Sequence, residues 1–294
     1  MVASRRSREP NGHLNAHAKN TIDPPTGPAV QFFVQKKEDM KASNIQTIAR
    51  NLRLATSNGS PLPTAGIEIL DLNLAADIAA FGRGIAVAEG ERVVGYKIGL
   101  TAAAARESFN ADSPVQGYLL ESTLAPAGGS IATGHMSKPL VEAEIAFIIG
   151  EALNSATIGV EDVIAATRAV APAIEIVDSR WIGGAASLPM LVADNTNAAA
   201  AVLGAPVALP TNLAEAISLL TVGSGKHPGS TETVLGNPLE AVVWLARHLA
   251  ENGSGLEPGD IVLSGSMNVP VPLGDATTAT AEITGLGTVH ASFH

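Results

Sequence analysis

The chain has 294 residues, 46% of them hydrophobic and none of them cysteine, so it can bury a sizeable core but can form neither disulfides nor thiolate metal sites. A formal net charge of -10 and an aromatic content of 3% exclude a basic, base-stacking nucleic-acid surface. No apolar run approaches the roughly 20 residues of a membrane span, and a reducing cytoplasm is the expected compartment.

Residues 1–40 are rich in Pro, Asn, Lys and Arg and have neither helical nor strand periodicity, which predicts a disordered leader. Arg5 and Arg6 precede no apolar segment, so an export signal is not expected, and Met40 is a candidate start. Residues 41–92 are expected to form a helical cap. Within it Ile45, Ile48, Leu52 and Leu54 follow helical spacing until SNGSPLP stops them, and a second helix is expected from about Leu72 to Glu89, closed by Gly90.

RVVGYKIGLT then reads as a strand with Val94, Tyr96 and Ile98 on one side and Lys97 on the other, flanked by Gly95 and Gly99. A lysine with that much room is either a strand-edge charge or a cation that meets a substrate carboxylate or moves a proton. TAAAARESF reads as a helix, and ADSPVQGYL as a loop leading to a strand from Gly117 to Leu120.

VEAEIAFIIG is the central strand. Its period of two puts Glu142 and Glu144 on one face and Val141, Ala143, Ile145 and Phe147 on the other. In AIEIVDSR, Glu175 stands between Ile174 and Ile176, where an unpaired carboxylate is costly. Such acids either line a solvated sheet face or converge on a cation. Without cysteine or a close histidine pair the ion would have oxygen ligands, which favours Mg2+ or Mn2+. Between these strands, Val160, Val163, Ile164, Thr167 and Ala171 predict a helix closed by Pro172.

Farther on, GSGKHPGS lacks the spacing of a phosphate loop and is read as a hairpin turn. GNPLEAVVWLARHLAENG is the clearest helix, with Pro238 in its first turn and Gly253 at its end. The remainder alternates with turn signals as an antiparallel β region, so the fold class is α+β with a mixed or rolled sheet.

The strings VVGYKIGLT, PLVEAEIAF, PAIEIVDSR, VADN, GNPLEAVVWLA and PGDIVLSG, in unbroken order from Ile45 onward, resemble the 2-keto-4-pentenoate hydratase and 4-oxalocrotonate decarboxylase family of the fumarylacetoacetate hydrolase superfamily. The resemblance implies a β-roll with flanking helices over residues 93–294 as the catalytic domain, assembled into homo-oligomers. It implies that Glu142, Glu144 and Glu175 ligate the metal and that Lys97 is the active-site lysine. Asp178, Arg180, Asp194 and Asn195 are candidates for support or packing around that site.

Hydratases of this family typically carry Pro-Asp-(Phe/Tyr)-Gly where this chain has Pro114-Val115-Gln116-Gly117. Decarboxylases typically have Pro-Val-Phe-Gly, and Val115 is shared with them. Water addition needs a group to move protons, whereas loss of CO2 needs an electron sink and a dry cavity. The expectation is therefore a metal-dependent 4-oxalocrotonate-type decarboxylase of a 2-oxo-enoate from aromatic breakdown, with Lys97 and Val115 touching the substrate. The alternatives are 2-keto-4-pentenoate hydration, acylpyruvate C–C hydrolysis, and a silent paralogue that assembles with a partner hydratase or decarboxylase.

Overall fold

The computed structural model describes residues 44–64 and 71–294. The leader expected over residues 1–40 lies outside them. Helix α1 spans residues 44–58 and α2 spans Leu72–Ala88, where the Asp71 side chain accepts a 2.7 Å hydrogen bond from Leu74 N as the N-cap. Strand β1 (Val93–Gly99), helix α3 (Ala103–Ser108) and strands β2 (Val115–Leu120), β3 (Leu124–Pro126), β4 (Ser130–Ile131) and β5 (Leu140–Ile149) follow. Then come α4 (Val160–Ala166), β6 (Thr167–Val177), α5 (Leu188–Ala193), β7 (Ala198–Leu203), β8 (Ile217–Val222), β9 (Gly225–Ser230) and α6 (Pro238–Glu251). Strands β10 (Ile261–Leu263), β11 (Val271–Pro272), β12 (Thr278–Ile283) and β13 (Gly287–Phe293) complete the chain.

Two mixed sheets carry the architecture. The first runs β2-β1-β10-β5-β6-β7-β3, with β11 also on β5, and curls until β2 touches β7. The second runs β4-β13-β12-β8-β9 and packs on the outer face of β5 and β6. There Val141, Ala143, Ile174 and Ile176 meet Leu220, Ala281, Val289 and Ala291. Farther along the same outer face, Ile145, Phe147 and Ile149 bury against α6, whose Val242, Leu245 and Leu249 form its inward stripe. Each such side chain contributes roughly 1.5–3 kcal/mol when fully buried. A third cluster joins α1 and α2 to α5 through Ala49, Leu52, Ala75, Ile78, Trp181 and Met190. Among the described residues no helix is long and apolar enough to cross a membrane.

Two expectations are corrected. The helix predicted as far as Ala171 ends at Ala166, and Val170, Ala171 and Pro172 belong to β6, which extends to match the ten residues of β5. Pro172 fits because Ile145, its opposite number, turns its own N–H and C=O to Ser264, so nothing on β5 awaits a proline donor. On the other side Pro172 O accepts from Gly204 N, just past the end of β7. The second correction concerns GSGKHPGS: only its first two residues form the turn, while Gly225–Ser230 is β9, an edge strand on which Pro228 is tolerated. The terminal region is antiparallel in β12 and β13, but β10 pairs parallel with β1.

Candidate active site

Strand register assembles the site. Glu142 lies directly opposite Glu175, and Glu144 lies opposite Ala173, so all three acids share the inner face of the curled sheet. On the same face Ala146 pairs with Leu263 and Leu263 with Lys97, which brings the lysine from β1 alongside the acids. Small and apolar residues, Leu119, Ala146, Ala171, Ala173, Ala201 and Leu263, floor the space around them. A solvated sheet face is excluded, because Glu142, Glu144, Glu175 and Lys97 are 8%, 1%, 1% and 3% exposed. One carboxylate oxygen from each glutamate lies within 4.8 Å of the others, and among the described residues no other trio of His, Cys, Asp or Glu converges in this way.

The electrostatics are unbalanced. Lys97 Nζ is 3.1 Å from Glu175 Oε2, and Gly265 N donates to Glu144 Oε2 at 2.9 Å. Glu144 Oε1 and Glu175 Oε1 have no hydrogen-bond partner. Burial, opposed by Lys97 and reinforced by Glu175, pushes the Glu142 carboxyl up to about 7. Burial and the two neighbouring carboxylates push Glu144 well above the usual range. Burial disfavours the Lys97 ammonium, but the charges of Glu175, Glu142 and Glu144 outweigh it and raise its pKa. Ionised together, each carboxylate pair at this spacing repels by roughly 3 kcal/mol at an effective dielectric near 20. Hard oxygen donors, surplus negative charge and unmet lone pairs are the donor set that a divalent cation with oxygen preference fits.

Val115 stands beside the lysine. From the position a Cβ on Gly99 would occupy, a Val115 methyl is 3.4 Å away and Lys97 Nζ is 3.9 Å away. Asp178, Arg180, Asp194 and Asn195 form a scaffold to one side. Asp178 accepts from Ser137 N (2.9 Å) and Lys138 N (2.7 Å), tying down the loop before β5. Arg180 Nε donates to Asp194 Oδ1 at 2.5 Å. Asn195 exchanges hydrogen bonds with the backbone of Tyr118, 2.7 Å to its N and 3.0 Å from its O, extending the sheet past edge strand β2.

Sequence reasoning missed Gly265, Thr196 and Tyr118. Gly265, at φ 108 just after β10, reaches Glu144 across 121 positions of sequence. Its local signal is a Ser-Gly pair directly after a short apolar strand. Tyr118, Arg53, Asn195 and Glu175 line one cavity, roofed by α1 and α2. A tyrosine between Gly117 and the apolar pair Leu119 and Leu120 is the local hint of a polar wall there.

Residues 84–294 match the C-terminal domain family of fumarylacetoacetate (FAA) hydrolase, and the chain belongs to that family. Within it, the chain is 36% identical over 257 residues to the 2-keto-4-pentenoate hydratase of Paraburkholderia phymatum, an alignment covering 85% of this chain and 98% of the hydratase. It is 32% identical to a 4-oxalocrotonate decarboxylase of Pseudomonas, with 83% of this chain and 96% of the decarboxylase covered. The fold superposes with a TM-score of 0.82 on 4-oxalocrotonate decarboxylase from Pseudomonas putida G7, solved with magnesium and adipate. That match has 27% identity and covers 86% of this chain and 98% of the other.

Proposed function

We propose that this protein is a divalent-metal-dependent lyase that decarboxylates a 2-oxo-enedioate of the 4-oxalocrotonate type. The observation that carries the reading is the buried trio Glu142, Glu144 and Glu175, one oxygen of each within 4.8 Å of the others beside Lys97, with Glu144 Oε1 and Glu175 Oε1 left without a partner. Mg2+ or Mn2+ held by these three residues would act as a Lewis acid toward the 2-oxo group of the substrate. Magnesium, calcium and manganese occur with solved relatives, which supports a hard cation here.

The chain's own residues divide the remaining work. Lys97, an ammonium facing the acid trio, holds the substrate's anionic end and supplies a proton where charge collects. In the reaction the C–C bond to the distal carboxylate breaks and CO2 leaves. The electron pair passes through the conjugated chain to the 2-oxo oxygen, and uptake of one proton there gives a 2-hydroxydienoate. Val115 and the alanine-rich floor keep water from the ammonium and from the reacting carbon chain, which favours departure of CO2 over water addition.

Hydration of a 2-hydroxypenta-2,4-dienoate is the second reading. It is favoured by hydratase relatives that are 34% and 36% identical to this chain, against 32% for the decarboxylase, and would leave Lys97 as the sole proton shuttle. A cytoplasmic homo-oligomer in aromatic breakdown, alone or beside a partner hydratase, is the setting that the decarboxylase reading implies. The test is to incubate Mg2+-loaded protein separately with 2-oxohex-3-enedioate and 2-hydroxypenta-2,4-dienoate, following CO2 and 4-hydroxy-2-oxopentanoate. CO2 from the first substrate is expected. Product from the second alone would replace decarboxylase by hydratase. Val115→Asp, which sets a carboxylate beside Lys97, is expected to raise hydration relative to CO2 release at least severalfold.

A further inference from the structure

Lys97 is confined on sides that no strand provides. Its stem passes 3.1 Å, at Cγ, from the position a Cβ on Gly117 would take, a position already crowded by Asn195 O at 2.6 Å and Asn195 Oδ1 at 3.1 Å. Its ammonium ends 3.9 Å from the equivalent position on Gly99, where the Thr196 methyl stands at 2.5 Å and a Val115 methyl at 3.4 Å. The lysine therefore lies in a trough. Two glycines from β1 and β2 leave the trough open, and the short segment Asn195–Asn197 fills the space that their missing side chains vacate.

That segment is held in an unfavourable conformation. Asn195, Thr196 and Asn197 have φ of 50°, 52° and 56°, all left-handed, and for a β-branched threonine this is a genuine outlier. Its surroundings over-determine it. Asn195 is fastened to Tyr118 in both directions, and Thr196 Oγ1 donates to Gln116 O at 2.7 Å. Asp194, one residue before, is locked to Arg180. Thr196 itself is 3% exposed. The hydroxyl fixes the turn to β2, and this leaves the methyl free to close the trough.

We propose that Thr196 is a positioning residue for Lys97, its methyl setting where the ammonium comes to rest against Glu175. This role deepens the proposed function and rests on its reading of Lys97. The variant Thr196→Ser keeps the hydroxyl bond to Gln116 and removes only the methyl. Adding Gly99→Ala to it returns a carbon to within 2.5 Å of the vacated place, on a residue whose backbone accepts a side chain. Two readouts separate the possibilities: the acylation rate of Lys97 by N-hydroxysuccinimidyl acetate, resolved by peptide mapping against exposed Lys138 and Lys226, and kcat and KM with Mg2+ and 2-oxohex-3-enedioate.

Thr196→Ser is expected to speed Lys97 acylation about tenfold relative to the two reference lysines and to lower kcat about tenfold with little change in KM, as misplacement of a reacting group does. The double variant is expected to return both toward wild type. Unchanged acylation and kcat in Thr196→Ser would overturn the proposal. So would losses that track a fall in Tm and are not reversed in the double variant. A wild-type protein inactive on the substrate, with acylation behaving as expected, would withdraw the reaction and leave the positioning of Lys97 standing.

Discussion

Among the described residues two ion pairs are buried, Lys97–Glu175 and Arg180–Asp194, and they are built to opposite ends. Around Arg180 and Asp194 every side-chain polar atom has a partner. The carboxylate accepts from Arg180 Nε, Arg180 N (2.8 Å) and Ser179 Oγ (3.3 Å), while the guanidinium also donates to Asp178 O, Ala198 O and Asp194 O. Around Lys97 one ammonium faces three carboxylates, and two of their oxygens have no partner. The first pair is closed and serves the fold. The second is left short of positive charge, which is how a site awaiting a cation differs from one that holds a loop.

The contrast breaks most visibly at the acids. Glu175→Gln removes a charge without changing shape. Turnover with Mg2+ is expected to fall about 1,000-fold or more, equivalent to about 4 kcal/mol of transition-state stabilisation, and calorimetric Mg2+ binding is expected to disappear. The cation-free protein is expected to unfold at the same denaturant midpoint as wild type or a higher one, because one repelling charge has gone. A variant that binds Mg2+ normally would contradict the assignment of Glu175.

Asp194→Asn should do the reverse. It sets an amide NH2 against donors that the carboxylate now accepts from, Arg180 Nε or Arg180 N and Ser179 Oγ, and a buried donor left unmet costs about 1–3 kcal/mol. Chemical denaturation is expected to register this loss, while the protein that remains folded keeps its Mg2+ affinity. Loss of cation binding without loss of stability would mean that the two pairs are not separate in purpose.

How much of this was legible in sequence follows from the same contrast. Glu142, Glu144 and Glu175 stand out because a strand's period of two makes acids in apolar runs conspicuous, and Lys97 stands out because two glycines flank it. The shared face of the four depends on registers joining β1, β10, β5 and β6, which no local pattern encodes. Val160, Val163, Ile164, Thr167 and Ala171 satisfy helical spacing, yet the need of β5 for a full-length partner takes the last two into a strand. Gly265 and Thr196 escape notice because they act through a backbone N–H and a single methyl, and neither advertises chemistry. Asp194 and Asn195 were visible as a polar pair, but only the fold shows that one anchors Arg180 and the other a strand edge.

The smallest expected effect, and the one that separates the two pairs by pH, concerns the cation-free protein. Glu142 is held at about 7 in the fold against an ordinary value of 4.5. A raised folded-state value means that the folded chain binds the proton more tightly than the unfolded one. The resulting stability is fully present below about 4.5 and is lost as pH rises through about 7. Glu144 adds to the loss in the same direction. Chelator-treated protein is therefore expected to be less stable at about pH 8.5 than at about pH 5.5, by roughly 1–3 kcal/mol from denaturant midpoints. Saturating Mg2+ is expected to shrink or reverse that difference, because it binds the deprotonated carboxylates of the folded state. Asp194, raised to about 6 from 3.8 by burial against the pull of Arg180, has the same sign over a lower window, and Mg2+ is expected to leave its contribution unchanged because Arg180 already pairs with it. A stability profile that falls only between about pH 4 and pH 6, and that Mg2+ leaves unchanged, would assign the whole pH dependence to the closed pair and leave none for the acid trio.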